Sequence, residues 1–411
     1  MNNLPKLRFP EFLDAGDWEE KQLHQIASPV SERAKGKNKE TALTLSAEYG
    51  IVSQGDYFGK RIAGENVDRY IKISLNDFVY NDRITKLFTY GTIKRLSQYQ
   101  SGLVSPIYKC FRFKESENPV FWEWYFESGN HEIPLQKLVN EGARAGRFNI
   151  SIQKFLSITV LSPESSEQQK IADCLSSIDD RITAETQKLD TLKAHKKGLM
   201  QQLFPAEGET LPKLRFPEFH DSGEWEEKKL GELIDYENGK AHENHIADKG
   251  KYIVVNSKFI STEGEVRKYT DNGFCIAEKE DILMVLSDVP NGRAIAKCYL
   301  VEVDNLYTVN QRICKIKPNG SVGKFLFYIL DRNSFYLDFD DGVKQTNLRK
   351  EDVLSCPVFL PSLQQEQQKI VDCLSSIDEA IAAQSQAIEL LKLHKKGLMQ
   401  QLFPSVEEVI G

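Results

Sequence analysis

Apolar residues recur in a four-and-three rhythm in two stretches of the chain. In the first, Ile171, Leu175, Ile178, Ile182, Leu189, Leu192, Leu199 and Leu203 keep the rhythm, and Glu185 and Lys196 occupy the two missing positions. In the second, Ile370, Leu374, Ile377, Ile381, Ile388, Leu391, Leu398 and Leu402 keep it, with Gln384 and Lys395 at the same two gaps. An apolar repeat of 3.5 residues is the seam of a coiled coil. Each stretch therefore predicts one long helix of ~40 residues, ~60 Å at 1.5 Å per residue. Ser165-x-x-Gln168 after Pro163, and Ser362-x-x-Gln365 after Pro361, read as capping boxes at their starts. Phe204-Pro205 and Phe403-Pro404 end them, because proline cannot continue a helix. A narrow seam needs a partner. The other copy is the expected one, giving an intramolecular pair; an intermolecular coiled coil is the alternative. Lys196 and Lys395 would lie near helix ends, where their ammonium groups reach water.

The two stretches are copies at an offset of 199, and their last eleven residues, HKKGLMQQLFP, are identical. A second repeat precedes each half. Residues 5–12, PKLRFPEF, recur at 212–219, followed by DAGDWEEKQL and DSGEWEEKKL. This lead-in reads as an ordered surface segment running into a strand, anchored by Trp18 or Trp225. The blocks between differ, except where Asn149-Ile150, Phe155-Leu156-Ser157 and Val160 match Asn347-Leu348, Val353-Leu354-Ser355 and Val358. The chain thus divides into 1–162, lead-in and first block; 163–205, first helix; 206–211, an acidic linker; 212–361, lead-in and second block; 362–404, second helix; and 405–411, a tail.

Both blocks read as α+β. Strands are predicted at Phe78-Val79-Tyr80, Tyr108 to Phe113, Tyr252 to Val255, Asp281 to Leu286 and Arg312 to Lys317. Pro119 to Ser128 and Gly323 to Asp331 read as short helices. The fold expected is two globular domains separated by two long coiled-coil helices, with a pseudo-twofold internal repeat. An antiparallel pairing of the helices would set the blocks at opposite ends of a spacer.

The net charge of −7 argues by itself against nucleic acid, but its distribution changes that picture. Residues 83–114 hold Arg83, Lys86, Lys94, Arg95, Lys109, Arg112 and Lys114 without an acid, and residues 305–330 hold Arg312, Lys315, Lys317 and Lys324 likewise. Acids crowd the lead-ins and the helices, so the expectation is an acidic frame with two basic surfaces. Seven scattered cysteines without a CxxC pair fit reduced thiols in the cytoplasm. No run of 18 apolar residues predicts a membrane span, and the start has no apolar signal core.

Catalytic motifs are missing. Gly320 to Lys324 is too short for a phosphate-binding loop. His242-Glu-Asn-His245 lacks the HExxH spacing and reads as a solvated turn. His195 and His394 read as packing or surface residues. Asp17 with Glu19-x-Lys21 is a faint nuclease-like set with nothing to complete a metal site, so no metal is expected.

Near-identical frames carrying dissimilar blocks suggest two equivalent sockets and two different readers. The repeated PKLRFPEF, the EQQKI…LSSID…HKKGLMQQLFP helices and the matching block tails resemble the specificity subunit of type I restriction-modification enzymes, over nearly the whole chain. The resemblance implies two target-recognition domains, an antiparallel helical spacer, and a non-catalytic subunit that reads a split, asymmetric DNA target. It further implies two methylase subunits binding S-adenosylmethionine, and motor-nuclease subunits using ATP and Mg. No cofactor is expected in this chain itself.

The recognition domains vary within that family, so reading residues must come from chemistry. Phosphates want Lys and Arg; base edges want Arg, Asn and Gln. Arg144, Arg147 and Asn149 share one acid-free Gly loop, and Lys344, Gln345, Asn347 and Arg349 share its equivalent. Arg83, Lys86, Lys94 and Arg95 come next, then Asn291, Arg293, Asn310, Gln311 and Arg312. The plainer reading is a Gly turn in which Asn149 and Asn347 bond the backbone. A rival function is a structural adaptor bridging two copies of a partner without sequence-specific DNA binding. A metal nuclease is the weakest reading.

Overall fold

The computed structural model describes residues 3–34, 40–60, 67–85, 88–139, 149–290 and 292–404. The chain forms two compact units, residues 1–187 with 385–411, and residues 188–384. Each unit contains the start of one long helix and the end of the other.

Both stretches with the four-and-three rhythm are continuous helices of 39 residues, Ser165–Leu203 and Gln364–Leu402. In the first unit Ile171 and Leu175 share a core with Leu398, Leu402 and Phe403, while Asp179 pairs with Lys395. The partner index falls as the helix index rises, so the segments run antiparallel. In the second unit Ile370 and Leu374 pack with Leu199, Leu203 and Phe204, and Asp378 pairs with Lys196 at 2.6 Å. The seam is therefore intramolecular. Ile171, Leu175, Leu203, Ile370, Leu374 and Leu402 are buried; Ile178, Ile182, Leu199, Ile377, Ile381 and Leu398 are half-buried. A two-helix seam covers one side of a side chain, and these six buried positions lie where a block closes the other; Ile388 and Gln384 are buried as well, outside both block cores.

The seam lysines differ from expectation. Instead of reaching into water, Lys196 lies over the Tyr328 ring at 5.2 Å and Lys395 over Trp124 at 4.2 Å, each beside its aspartate. The capping boxes also differ. Gln168 turns to the block: its Oε1 accepts from the Asn118 amide at 2.9 Å, and its Nε2 donates to Glu117 at 2.9 Å and to the Pro163 carbonyl at 3.1 Å. In the second unit Gln367, not Gln365, does the same work, accepting from the Val322 amide at 3.1 Å. The first amide of each block helix needs an acceptor there.

Each lead-in closes on its own unit. Glu19–Gln22 pairs antiparallel with Thr159–Ser162, and Glu226–Lys229 with Pro357–Leu360. Arg8 grips Glu167 with Nε and Nη2, at 2.8 and 2.7 Å, and Arg215 grips Glu366 at 2.7 and 2.8 Å. Trp18 and Trp225 are both 2% exposed, which makes them anchors.

The blocks share a scaffold despite different sequences. In the first, a four-stranded antiparallel sheet runs Ala27–Pro29, Lys109–Phe113, Phe78–Asn81, Thr92–Arg95. In the second it runs Ile234–Asn238, Ile313–Pro318, Ile282–Val285, Cys298–Leu300. Helix Pro119–Glu127 packs Phe121, Trp122 and Phe126 on the first sheet, and helix Gly323–Leu330 packs Phe325 and Leu326 on the second. No helix among the described residues is long and apolar enough to cross a membrane.

Beside the first aromatic core sits His131, 5% exposed, with its Nδ1 unpartnered among the described residues. Burial pushes its pKa down to about 4. The native state thus holds neutral imidazole, while the unfolded chain takes up a proton below its ordinary pKa. Stability from this group is complete above pH ~6.5 and is lost as pH falls toward 4, by about 2 kcal/mol between pH 7 and 5. His131→Leu is expected to remove that part of the pH dependence. Urea unfolding of both proteins at pH 7 and 5 checks this, and equal acid losses would refute it.

Candidate nucleic-acid interface

In the second unit the strand Ile282–Val285 continues into Leu286, where three segments meet. The Leu286 amide donates to the Arg312 carbonyl at 2.9 Å, and the Leu348 amide donates to the Leu286 carbonyl at 2.8 Å. Ser287–Asp288 then pairs antiparallel with Thr346–Asn347. Segments around residues 293, 312 and 345 thereby converge on one end of the sheet.

Alternation decides what that end presents. Thr346 and Leu348 point inward and are buried, leaving Gln345, Asn347 and Arg349 exposed. Gln345 Nε2 donates to Ser287 Oγ at 2.7 Å and to Asn347 Oδ1 at 3.0 Å, so both amides are pre-positioned. Asp341 accepts from the amides of Val343 and Lys344 at 2.9 and 3.0 Å, which lowers its carboxyl pKa and fixes the turn before Lys344. The Arg349 amide donates to Asp352 at 2.7 Å, starting helix Lys350–Leu354. Gln311 donates to Glu243 at 3.0 Å. Arg293, Arg312, Lys344 and Arg349 are exposed and make no ion pair among the described residues. Asn291 lies outside the described residues.

Asp288 organises the neighbouring turn. Its Oδ1 accepts from the Val289 amide at 2.9 Å, and its Oδ2 from Ala294 and Ile295 at 2.6 and 3.1 Å. A side chain at Gly292 would put its Cβ 2.1 Å from Asp288 Oδ2, so only glycine lets the turn close. Arg293 stands on the rim of that turn.

The first unit has a related end, with less of it described. Lys86, Arg144 and Arg147 lie outside the described residues. Arg83 is exposed just past the strand Phe78–Asn81, its amide donating to Asn81 Oδ1 at 3.3 Å. Asn149 is exposed with φ 51°, the left-handed region asparagine tolerates, and Ile150 after it is buried.

The basic tracts are acid-free in sequence but not in space. Lys94 pairs with Glu127, and Arg95 with Glu123 at 2.7 Å and Asn76 at 2.8 Å. Lys109 pairs with buried Asp82 at 2.5 Å, and Arg112 with buried Asp77. Lys315 and Lys317 pair with Glu237 and Glu278, both at 2.7 Å. These pairs take four of the seven cations of the first tract and two of the four of the second, so the two expected basic surfaces are partly neutralised. Burial raises the Glu123 carboxyl pKa in spite of the arginine beside it. His242 also departs from the solvated turn expected of it. It is 0% exposed, held between the Lys240 carbonyl at 2.6 Å and Thr308 Oγ1 at 3.0 Å. His195 and His394 are exposed.

Comparisons with known proteins bear on this arrangement. Residues 222–393 match the family model described as the type I restriction modification DNA specificity domain. The specificity subunit of the type I restriction enzyme MjaVIII from Methanocaldococcus jannaschii is 27% identical over 422 residues, covering 96% of this chain and 93% of that protein. Among solved structures, the type I restriction-modification S subunit from M. genitalium superposes with a TM-score of 0.59 at 14% identity, over 98% of this chain and 99% of that one. A chain from a structural study of type I R-M complex assembly superposes at 0.56 and 16%, over 94% and 98%. These two share the fold. Residues 222–393 thus match a type I restriction modification DNA specificity domain, and the chain as a whole is similar to a type I specificity subunit. In these systems the enzymatic activities reside in other subunits, and the specificity subunit is the DNA-recognition component.

The residues that sequence reasoning missed are those that hold the candidate readers in place. Ser287 and Asp288 touch Gln345 and the turn bearing Arg293. Their signal was present: Asp288-Val-Pro290-Asn291-Gly292 is strong turn chemistry.

Proposed function

We propose that this specificity subunit reads a split, asymmetric site on double-stranded DNA, one half-site per unit, with unread base pairs between. It also holds two methylase subunits, and through them the motor-nuclease subunits. S-adenosylmethionine serves the methylases; ATP and Mg serve the motor. The reader domains are taken as residues 1–162 and 212–361, and the helices 163–205 and 362–404 as the spacer. Work on DNA places the chain in the cytoplasm.

The convergence of three polar segments at one end of the second sheet carries the reading. It gathers forked guanidiniums at Arg293 and Arg312 and pre-positioned amides at Gln345 and Asn347. Those groups suit guanine and adenine edges, and Lys344 and Arg349 suit phosphates. In the first unit the corresponding set is Arg83 and Asn149, with Lys86, Arg144 and Arg147. Lys94 and Arg95 would have to exchange a carboxylate for a phosphate, so they rank last.

Replacing residues 231–346 by the matching block of a related subunit tests the reading. The expected result is a methylated-adenine motif changed in one half and intact in the other. A change in both halves, or no methylation motif dependent on the chain, overturns independent readers.

A further inference from the structure

The fold does not account for two exposed apolar side chains of the second unit. Val343 is 76% exposed and Val289 is 63% exposed, more than any other large apolar side chain among the described residues of that unit. Both stand on the turns that meet at the end of the second sheet. Ser287–Asp288 pairs with Thr346–Asn347, and the next step of that register sets Val289 opposite Gln345. Val343 comes two residues before Gln345 in the chain. Scattered single apolar residues are ordinary on a protein surface. Here the two most exposed ones fall beside the same pre-positioned amide.

The turns themselves do not require valine. Gly342 supplies the left-handed residue of one, with φ 69°, and Gly292 the close approach of the other. Each valine is instead held by its backbone: the Val289 amide donates to Asp288 Oδ1 and the Val343 amide to Asp341 Oδ1, both at 2.9 Å. A β-branched side chain is stiff at χ1, so fixing its backbone restricts where its two methyls point. Valine offers nothing to a phosphate, which wants cations, hydroxyls and amides. The apolar feature that base edges present in the major groove is the thymine C5-methyl, and the minor groove presents none. Across its major-groove edge an A·T pair shows adenine N7 and N6, then thymine O4 and the methyl. The amides of Gln345 and Asn347 suit the adenine end, and a valine beside them suits the thymine end.

We infer that Val289 and Val343 each read the C5-methyl of a thymine in the second half-site. The inference rests on the DNA reading proposed above and adds a base to it.

The test uses the methylase complex containing the full chain and a duplex carrying its own methylated-adenine motif. The second half-site is the half that changes when residues 231–346 are exchanged. Each of its thymines, on either strand, is replaced in turn by deoxyuridine, which removes the methyl and keeps every hydrogen bond. Wild type is expected to weaken about fourfold at two of these positions, the worth of one buried methyl at each. Val289→Ala should erase most of that loss at one position and Val343→Ala at the other, so each valine stands or falls with its own thymine. The uracil arm needs no variant, so misfolding cannot hide the result. Equal affinity for thymine and uracil at every position overturns the methyl contacts and leaves the proposed function standing, as does a uracil loss that survives both alanine substitutions. Substitutions that weaken thymine and uracil duplexes alike overturn them in favour of packing on the sugar-phosphate backbone. A complex that does not prefer its motif to random duplex overturns the DNA-reading function, and the valine contacts with it.

Discussion

Glu366→Ala is expected to destabilise the second unit by about 3–5 kcal/mol, the range for breaking a buried ion pair from one side. The Glu366 side chain is 1% exposed and accepts three hydrogen bonds: two from Arg215, at 2.7 and 2.8 Å, and one from the Trp225 indole at 3.2 Å. Arg215 also donates to the Gly223 carbonyl at 2.7 Å, so one guanidinium pins the lead-in to the start of the second helix. Without the carboxylate, a guanidinium 9% exposed remains buried with one bond. Glu167→Ala removes the same clamp from Arg8, but the Trp18 indole has no partner among the described residues. Its cost should be lower by about 1 kcal/mol, one hydrogen bond. Arg215→Met with Glu366→Leu should recover most of the loss, since a well-packed apolar pair replaces a buried ion pair at little cost. Denaturant titration of the four proteins checks this. A Glu366→Ala cost below about 1 kcal/mol, within the range of exposed pairs, would sink the clamp.

What could be read from the sequence followed the range of the interactions involved. The long helices were legible because a 3.5-residue repeat is local and survives any tertiary context. The strands at Phe78–Asn81 and Ile313–Pro318, and the helix Pro119–Glu127, were legible from short alternating or aromatic runs. The partners of charges were not. Lys94 meets Glu127, and Arg112 meets Asp77, across 33 and 35 residues of chain, so an acid-free tract became a partly neutralised one. Gln168 looked like a local cap because Ser165 precedes it by three residues; the start of the block helix it serves, Asn118, lies 50 residues earlier. His242 looked solvated because its neighbours are polar, yet Thr308, 66 residues away, closes over it. The candidate readers suffered the same limit in the useful direction. Arg293 and Gln311 stood in one group of candidates and Gln345 in another, and strand pairing through Leu286 and Asp288 brings their segments together.

That convergence gives the sharpest expectation for DNA. Asp288→Ala should relax reading by the second unit at one base while leaving the first half-site intact. The carboxylate satisfies three backbone amides of the turn that carries Arg293, and Gly292 closes on it too tightly for any substitute. Losing it frees the turn, and the bidentate contact assigned to Arg293 goes with it. The cognate site should weaken by ~1–3 kcal/mol, about 5- to 150-fold, with preference relaxed at the base read there. Arg293→Lys should lose nearly as much, because an ammonium keeps the charge but not the fork. Lys344→Ala should behave differently. A phosphate contact weakens all sequences alike and lowers the salt slope by about one. Titrations of cognate duplex, duplex altered in one half-site and random duplex at several salt concentrations separate these outcomes. If Asp288→Ala and Arg293→Lys weaken every duplex equally, that end of the sheet holds the backbone and reads nothing. If neither they nor Lys344→Ala changes any affinity, the converged segments are structural turns, and the reading face of the second unit lies elsewhere.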